Sequence, residues 1–180
     1  MPEFTLLGLS GSLRRGATNT ALLHEAVRLF GPAQFAMGDL NLPLYDGDLE
    51  DSQGIPDAVQ QLADQITEAD AVIISTPEYN SAPPGVLKNA LDWVSRTKGS
   101  PWRDKPVAVM SAAAGRAGGV SAQMILRSCL VPFQPRLLTG PNVALANSGK
   151  AFDDQGRLIS EQTVKGLTAL MQKLGDEFGR

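Results

Sequence analysis

The sequence predicts a doubly wound α/β fold, a parallel sheet enclosed between two helical layers. Three observations point to it. Short apolar runs of strand length alternate with amphipathic segments throughout the chain. The clearest runs, such as Ala71-Val72-Ile73-Ile74-Ser75, are continuous and rich in β-branched residues instead of alternating with polar ones. The segments between them place apolar residues at helical spacing. A strand that is apolar on both faces needs cover on both faces. A helix between successive parallel strands crosses over with one hand, so the layers stack helix, sheet, helix. No repeat, low-complexity tract or compositional shift divides the chain, and a single domain over residues 1–180 is expected.

Phe4 to Leu9 predicts the first strand, and Thr20 to Phe30 a helix whose face is Leu22, Leu23, Ala26, Val27 and Phe30. Ala33 to Leu40 predicts a weaker second strand, and the Pro-, Gly- and Asp-rich stretch from Asn41 to Gly54 a loop. Pro56 to Glu68 carries Val59, Leu62, Ala63 and Ile66 on one helical face, and Ala71 to Ser75 is the third strand. Pro84 suits the first turn of a helix packed through Leu87, Leu91 and Val94. Val107 to Met110 repeats the buried-strand pattern, followed by a helix from Gly119 to Leu130. Val143 to Ala146 is the clearest part of a Pro-punctuated fifth strand, and Val164, Leu167, Met171, Leu174 and Phe178 stripe a final helix. The acidic pair Asp153-Asp154 before Gly156 predicts a turn, since its spacing does not make a calcium loop.

Composition removes several function classes. With 43% hydrophobic and 19% charged residues, the chain has too much apolar content for disorder. A formal net charge of −3 argues against nucleic acid as a partner, because phosphate backbones select clustered Lys and Arg. The one cysteine, Cys129, excludes a disulfide framework and a multi-cysteine metal site, and is expected to pack as a small hydrophobe in a reducing cytoplasm. No stretch approaches the length of a membrane span, and Met1-Pro2-Glu3-Phe4 lacks the pattern of a secretory leader. His24, the only histidine, falls mid-helix and is expected to be structural or at the surface. The 18 glycines and 12 prolines are many for such a chain, and much of that excess falls in three loops.

In an open parallel sheet, ligands bind beyond the carboxyl ends of the strands where the strand order reverses, so function is expected in the loops leaving strands one, three and four. The first loop, Ser10-Gly11-Ser12-Leu13-Arg14-Arg15-Gly16-Ala17-Thr18-Asn19-Thr20, leads straight into a helix. A helix N-terminus has unpaired N–H groups and the positive end of a dipole; short hydroxyls and Arg14 complete a cradle suited to a phosphomonoester. The loop has neither the Lys of a Walker loop nor the G-x-G-x-x-G fingerprint. The plain alternative is a loop capped by Thr18 or Asn19 with a solvated arginine pair. The loop after the third strand, Thr76 to Gly85, holds Pro77, Pro83 and Pro84 around Tyr79 and Asn80, a stiff rim with one aromatic face. The loop after the fourth, Ser111-Ala112-Ala113-Ala114-Gly115-Arg116-Ala117-Gly118-Gly119, is a floor of small residues with one charge. A phosphate cradle, an aromatic rim and a small-residue floor together fit a mononucleotide with a large planar ring, of which FMN is the leading candidate.

Gly11-Ser12-Leu13-Arg14 with Asn19, the block Pro77-Glu78-Tyr79-Asn80 followed by Leu87-Lys88-Asn89-Ala90-Leu91-Asp92-Trp93, and Gly115 with Gly118 and Gly119 resemble the NADPH-dependent FMN reductase family, which includes bacterial quinone, chromate and azo-dye reductases. The resemblance runs from Leu6 to about Arg127 and, faintly, through Phe152 to Leu158. It implies a flavodoxin-like three-layer sandwich with a five-stranded parallel sheet in the order 2-1-3-4-5. It implies FMN as cofactor and NADPH or NADH as co-substrate, in a ping-pong reduction of a quinone, chromate, azo or flavin acceptor. Ser10, Ser12, Arg14, Asn19 and Thr20 would then hold the phosphate, with Thr18 beside them. Pro77, Glu78, Tyr79 and Asn80 would line the ring; Ser111, Ala114, Gly115 and Gly118 would meet its pyrimidine side. Apart from the resemblance, Arg116, the only charge of its loop, suits a reduced, anionic ring or a second phosphate, the plain alternative being a solvated arginine. No side chain would be catalytic and no metal is implied. The family pattern has Ser where this chain has Ala17, so one hydroxyl is missing. A cytoplasmic homodimer or homotetramer would follow, with the helix after Pro84 packed on its partner; its Leu87, Leu91, Trp93 and Val94 offer apolar surface for that and suit the core equally. Two readings of other classes stand beside this one: a flavodoxin-type electron carrier that NADPH does not reduce, and a phosphate- or nucleotide-binding regulator without redox chemistry.

Overall fold

A computed structural model describes residues 4–178. Met1 to Glu3, on which the absence of a leader pattern was read, lie outside the described residues. The strands are β1 (Thr5–Ser10), β2 (Gln34–Gly38), β3 (Ala71–Thr76), β4 (Pro106–Ala112), β5 (Arg136–Leu137) and β6 (Ala144–Leu145). The helices are α1 (Thr18–Phe30), α2 (Gly47–Gln53), α3 (Asp57–Glu68), α4 (Gly85–Val94), α5 (Val120–Leu130) and α6 (Glu161–Asp176). The strands pair in parallel in the order β2-β1-β3-β4-β5, and β6 also pairs with β4. That is the order 2-1-3-4-5 implied by the resemblance, with the fifth position divided between two short segments.

Each strand sends alternate side chains to two cores. Leu6, Ala71, Ile73, Ala108 and Met110 pack with Leu22, Leu23 and Ala26 of α1 and Leu167, Leu170 and Leu174 of α6. Leu7, Leu9, Val72, Ile74, Val107 and Val109 pack on the opposite face with Leu62 and Ile66 of α3, Leu87 and Leu91 of α4, and Leu126 and Leu130 of α5. Every residue of β3 and β4 is buried, which is why these strands read as unbroken apolar runs. Leu87, Leu91, Trp93 and Val94, which the sequence left open between core and a partner surface, are all buried within this chain.

Two elements differ from expectation. The stretch from Asn41 to Gly54 contains α2, a short helix with no buried residue, started by the Asp46 side chain accepting from the Asp48 N–H at 3.0 Å. With no apolar face it leaves no periodic signal. The fifth strand breaks off after pairing Pro106 with Arg136 and Val107 with Leu137, and resumes at Ser111 with Ala144. In the gap, side chains of α5 take over the carbonyls: Arg127 donates to Leu138 O at 2.6 Å, and Gln123 to Val143 O at 2.8 Å. Burial lowers the Arg127 pKa from its ordinary value. His24 is exposed and meets Phe35 edge-on at 5.8 Å, and Cys129 packs half-buried against the second core. The turn at Asp153 closes with Gly156 N–H donating to Asp153 O at 2.9 Å. Among the described residues, no helix is long and apolar enough to cross a membrane.

Candidate functional site

β2 lies on one side of β1 and β3 on the other, so chain direction across the sheet reverses beyond the carboxyl ends of β1 and β3. The loop leaving β1 turns there into α1. Gly11 N–H donates to Ser75 O at 2.8 Å, and a Cβ at Gly11 would stand 2.8 Å from Pro77 Cδ and 2.7 Å from a Leu87 methyl, so only glycine lets the two loops approach. The α1 N-cap is Ala17, which has no side chain to accept from the first turn, and that turn carries no acidic residue. Neither Thr18 nor Asn19 caps the helix. Its first N–H groups therefore face the cleft without a partner from a capping side chain; α2 and α6 are closed by Asp46 and Ser160, and α3 and α4, also without a side-chain cap, do not open on this cleft.

The hydroxyls of the first loop mostly hold one another. Thr20 Oγ1 donates to Ser10 Oγ at 3.0 Å, and Ser12 Oγ accepts from Arg14 N–H at 3.3 Å. Thr18 Oγ1 donates to Ser148 Oγ at 3.0 Å. Asn19 is buried, and its carboxamide reaches across to the sheet. Its Oδ1 accepts from Ser75 Oγ at 2.8 Å and from Ala112 N–H at 3.0 Å, and its Nδ2 donates to Ala112 O at 2.9 Å.

Beyond β3, Tyr79 and Ala82 exchange two backbone hydrogen bonds of 3.0 and 3.1 Å around Asn80 and Ser81, both at positive φ. Asn80 is thus at the tip of a tight turn that favours its residue type, and it does not line the cleft. The Tyr79 ring is 56% exposed and does line it. Glu78 Oε2 accepts from Ala122 N–H at 3.0 Å, so the carboxylate takes up part of the N-terminal end of α5.

Beyond β4, Ser111 is fully buried and acts inside the loop: its hydroxyl donates to Gly118 O at 2.6 Å and accepts from Gln123 Nε2 at 2.7 Å. Gln123 Oε1 is buried without a partner. Gly118 has φ +65°, and a Cβ there would stand 2.5 Å from Ala144 O. Gly115 and Arg116 are exposed at the loop's outer turn.

These loops enclose a cleft of about 520 Å³, within the usual range for small-molecule sites. The sequence-predicted residues Ser12, Arg14, Thr18, Asn19, Pro77, Glu78, Tyr79 and Ala114 line it. Ser10, Thr20, Asn80, Ser111, Gly115, Arg116 and Gly118 do not; Ser10, Thr20, Ser111 and Gly118 instead buttress the loops that do. Ala112 and Ala113 extend the floor, and Ser148 and Gly149 close a fourth side. That last wall was missed because it follows the broken fifth strand, where Ser148 N–H donates to Ala113 O at 3.1 Å. Its signal in the sequence was the short polar run Asn147-Ser148-Gly149-Lys150 after an apolar segment.

The donor set fits FMN. An open helix terminus and the Arg14 guanidinium, which has no ion pair among the described residues, provide the anion end. Methyl-sized side chains on the floor and the exposed Tyr79 ring suit a flat heterocycle. The family model described as NADPH-dependent FMN reductase matches residues 4–150. The chain is 41% identical to an NAD(P)H-dependent FMN reductase of Pseudomonas aeruginosa, covering 96% of this chain and 94% of that protein. It is 36% identical to a quinone reductase of Escherichia coli K12, over 99% and 97% of the two chains. Among solved structures, the flavoenzyme NAD(P)H:(acceptor) oxidoreductase FerB of Paracoccus denitrificans superposes with a TM-score of 0.88 at 31% identity, covering 98% of this chain and 97% of that one.

Proposed function

The chain belongs to the family of NADPH-dependent FMN reductases, and from that premise we infer that it carries electrons from NAD(P)H through bound FMN to a quinone-class acceptor. The observation that supports this most is the uncapped first turn of α1, opening on a cleft floored by Ala112, Ala113 and Ala114 and rimmed by Tyr79. When bound, FMN would supply two-electron redox chemistry between NADPH and the second substrate, in the ping-pong order this reading carries.

The chain's own residues bind and orient. The first N–H groups of α1, the Ser12 hydroxyl and Arg14 would hold the phosphate, with Thr18 beside them bonded to Ser148, and that concentration of donors accounts for Ala17 standing where the family pattern has Ser. Ser10 and Thr20 hold that loop from behind. Pro77, Glu78 and Tyr79 form the rim, stiffened by proline, by the turn at Asn80 and by the Glu78 bond to α5. Ala112, Ala113 and Ala114 form the bed of the ring, shaped from behind by Ser111 and Gly118. Gly115 and Arg116 are exposed at the outer turn of that loop, Arg116 a cation for the phosphate of NADPH. The Tyr79 ring shields one side of the cleft from water while leaving an open face, which quinones, chromate, azo dyes and free flavin would share. Met124, Ile125 and Val131 are exposed on and just beyond α5, the first and last of them a helical stripe with Ser128, and we extend the proposal to a cytoplasmic homodimer or homotetramer assembled through this face.

Anaerobic mixing tests the reading. Protein loaded with FMN is expected to lose its yellow colour with NADPH and to regain it when benzoquinone is added. A protein that takes up no FMN, or a loaded protein inert to both NADPH and NADH, would overturn it, the second outcome marking an electron carrier.

A further inference from the structure

The resemblance places Asn19 at the cofactor phosphate, but its side chain is turned away from that task. Ser111 N–H and Ala113 N–H turn the other way, to Val143 O and Leu145 O, while β3 and β4 run in register only as far as Thr76 with Ser111, where their ladder ends. Ala112 therefore loses its strand partner on that side while both of its backbone groups are buried, an arrangement that costs free energy unless something else pairs with them. Asn19 does so with both ends of one carboxamide, accepting from Ala112 N–H at 3.0 Å and donating to Ala112 O at 2.9 Å. The same Oδ1 accepts the Ser75 hydroxyl at 2.8 Å, and the Ser75 carbonyl accepts Gly11 N–H at 2.8 Å. One side chain on the first turn of α1 thus ties together the points from which all three cofactor loops depart.

We propose that Asn19 is a positioning residue, not a phosphate ligand: its carboxamide replaces the missing strand partner of Ala112 and sets the anion-binding end of α1 in register with the ring-binding loops. The inference rests on the FMN reading above. A tie of this kind is complete before any cofactor arrives, whereas a phosphate contact exists only afterwards. The apoprotein therefore distinguishes the two roles.

The test compares wild type, Asn19→Ala and Asn19→Asp as apoproteins and after titration with FMN. Asn19→Asp keeps both acceptor bonds and sets a carboxylate oxygen against Ala112 O where the donor stood, so it perturbs one bond of the tie and serves should Asn19→Ala fail to fold. In apo Asn19→Ala the Ala112 amide is expected to exchange with solvent about tenfold faster, one hydrogen bond's worth, and the thermal transition to fall by several degrees. At saturating FMN the visible circular dichroism of the ring should change in both variants, with Asn19→Asp closer to wild type. Apoproteins that match wild type in exchange and melting, with FMN affinity alone reduced and the ring signature unaltered, would overturn the proposal and return Asn19 to the phosphate. Wild-type protein that takes up no FMN would overturn the functional reading and the cofactor role of the tie with it. Wild-type uptake with an unchanged Asn19→Ala apoprotein overturns the Asn19 assignment alone.

Discussion

Arg14 is the one cation among the described residues that lines the cleft, and it stands beside a helix terminus that no side chain caps. A charge-assisted bond to a phosphate contributes about 1.5–3 kcal/mol, so Arg14→Ala is expected to weaken FMN binding roughly 10- to 100-fold, read by fluorescence titration of the apoprotein, with riboflavin affinity little changed. The glycines of the floor separate by the same kind of reasoning. A Cβ at Gly115 meets nothing within 4 Å and the residue is exposed outside the cleft lining, so Gly115→Val should fold normally and leave flavin affinity near that of wild type. Gly118 is held at positive φ against Ala144 O, and Gly118→Ala is expected to destabilise the apoprotein itself by about 1–3 kcal/mol in a denaturant melt. Residue types and spacing revealed which loops matter, because hydroxyls, prolines and small residues cluster there. They did not distinguish residues that face the ligand from those that hold the loop. Ser111 reads as a ligand in the sequence and in the structure spends its hydroxyl on Gly118 O.

The elements were legible wherever burial leaves a period. β3, β4 and α3 stand close to where apolar spacing puts them, and the run Val143 to Ala146 marks the last part of the fifth strand, whereas α2 and the break in that strand, filled by side chains of α5, left no such mark. A contact between distant elements also escaped the sequence. Glu25 of α1, 3% exposed, accepts from Arg28 Nε at 2.7 Å, from Leu158 N–H at 3.1 Å and from Arg157 Nη1 at 3.3 Å, fastening the Asp153 turn to the helix that supports the cradle. Burial alone would raise its carboxyl pKa, but the hydrogen bonds and charges of these partners outweigh it and hold the group below its ordinary 4.5. A carboxylate depressed in the folded state adds stability that is fully present above the unfolded value and is lost as pH falls through the folded one. Glu25→Gln should therefore be less stable by about 2 kcal/mol at pH 7, and the gap should narrow as pH drops below about 4.5, measured by chemical denaturation across pH.

Across the whole molecule, the sheet order brings three loops from distant parts of the chain, and a fourth at residues 146–150, to one edge. Assembly belongs to this scale too. The apolar side of α4 is consumed by the core, and Met124, Ile125 and Val131, which are 65%, 42% and 63% exposed, are the patch through which assembly is proposed. Wild-type protein is expected to have the molar mass of a dimer or tetramer by light scattering, and Met124→Lys to shift the population towards monomer with its melting unchanged. The sequence by itself determined the layered α/β class, the loops that carry function and the chemistry those loops offer, because each depends on local pattern and residue type. Only the tertiary structure decided that the α1 terminus stays open, that Asn19 is spent on Ala112, that Glu78 faces α5 and that Ser148 closes the cleft. Those are matters of which polar group finds which partner once the strands are in register, and a backbone group left unpaired at the end of one strand can be answered only by a side chain far away in the sequence.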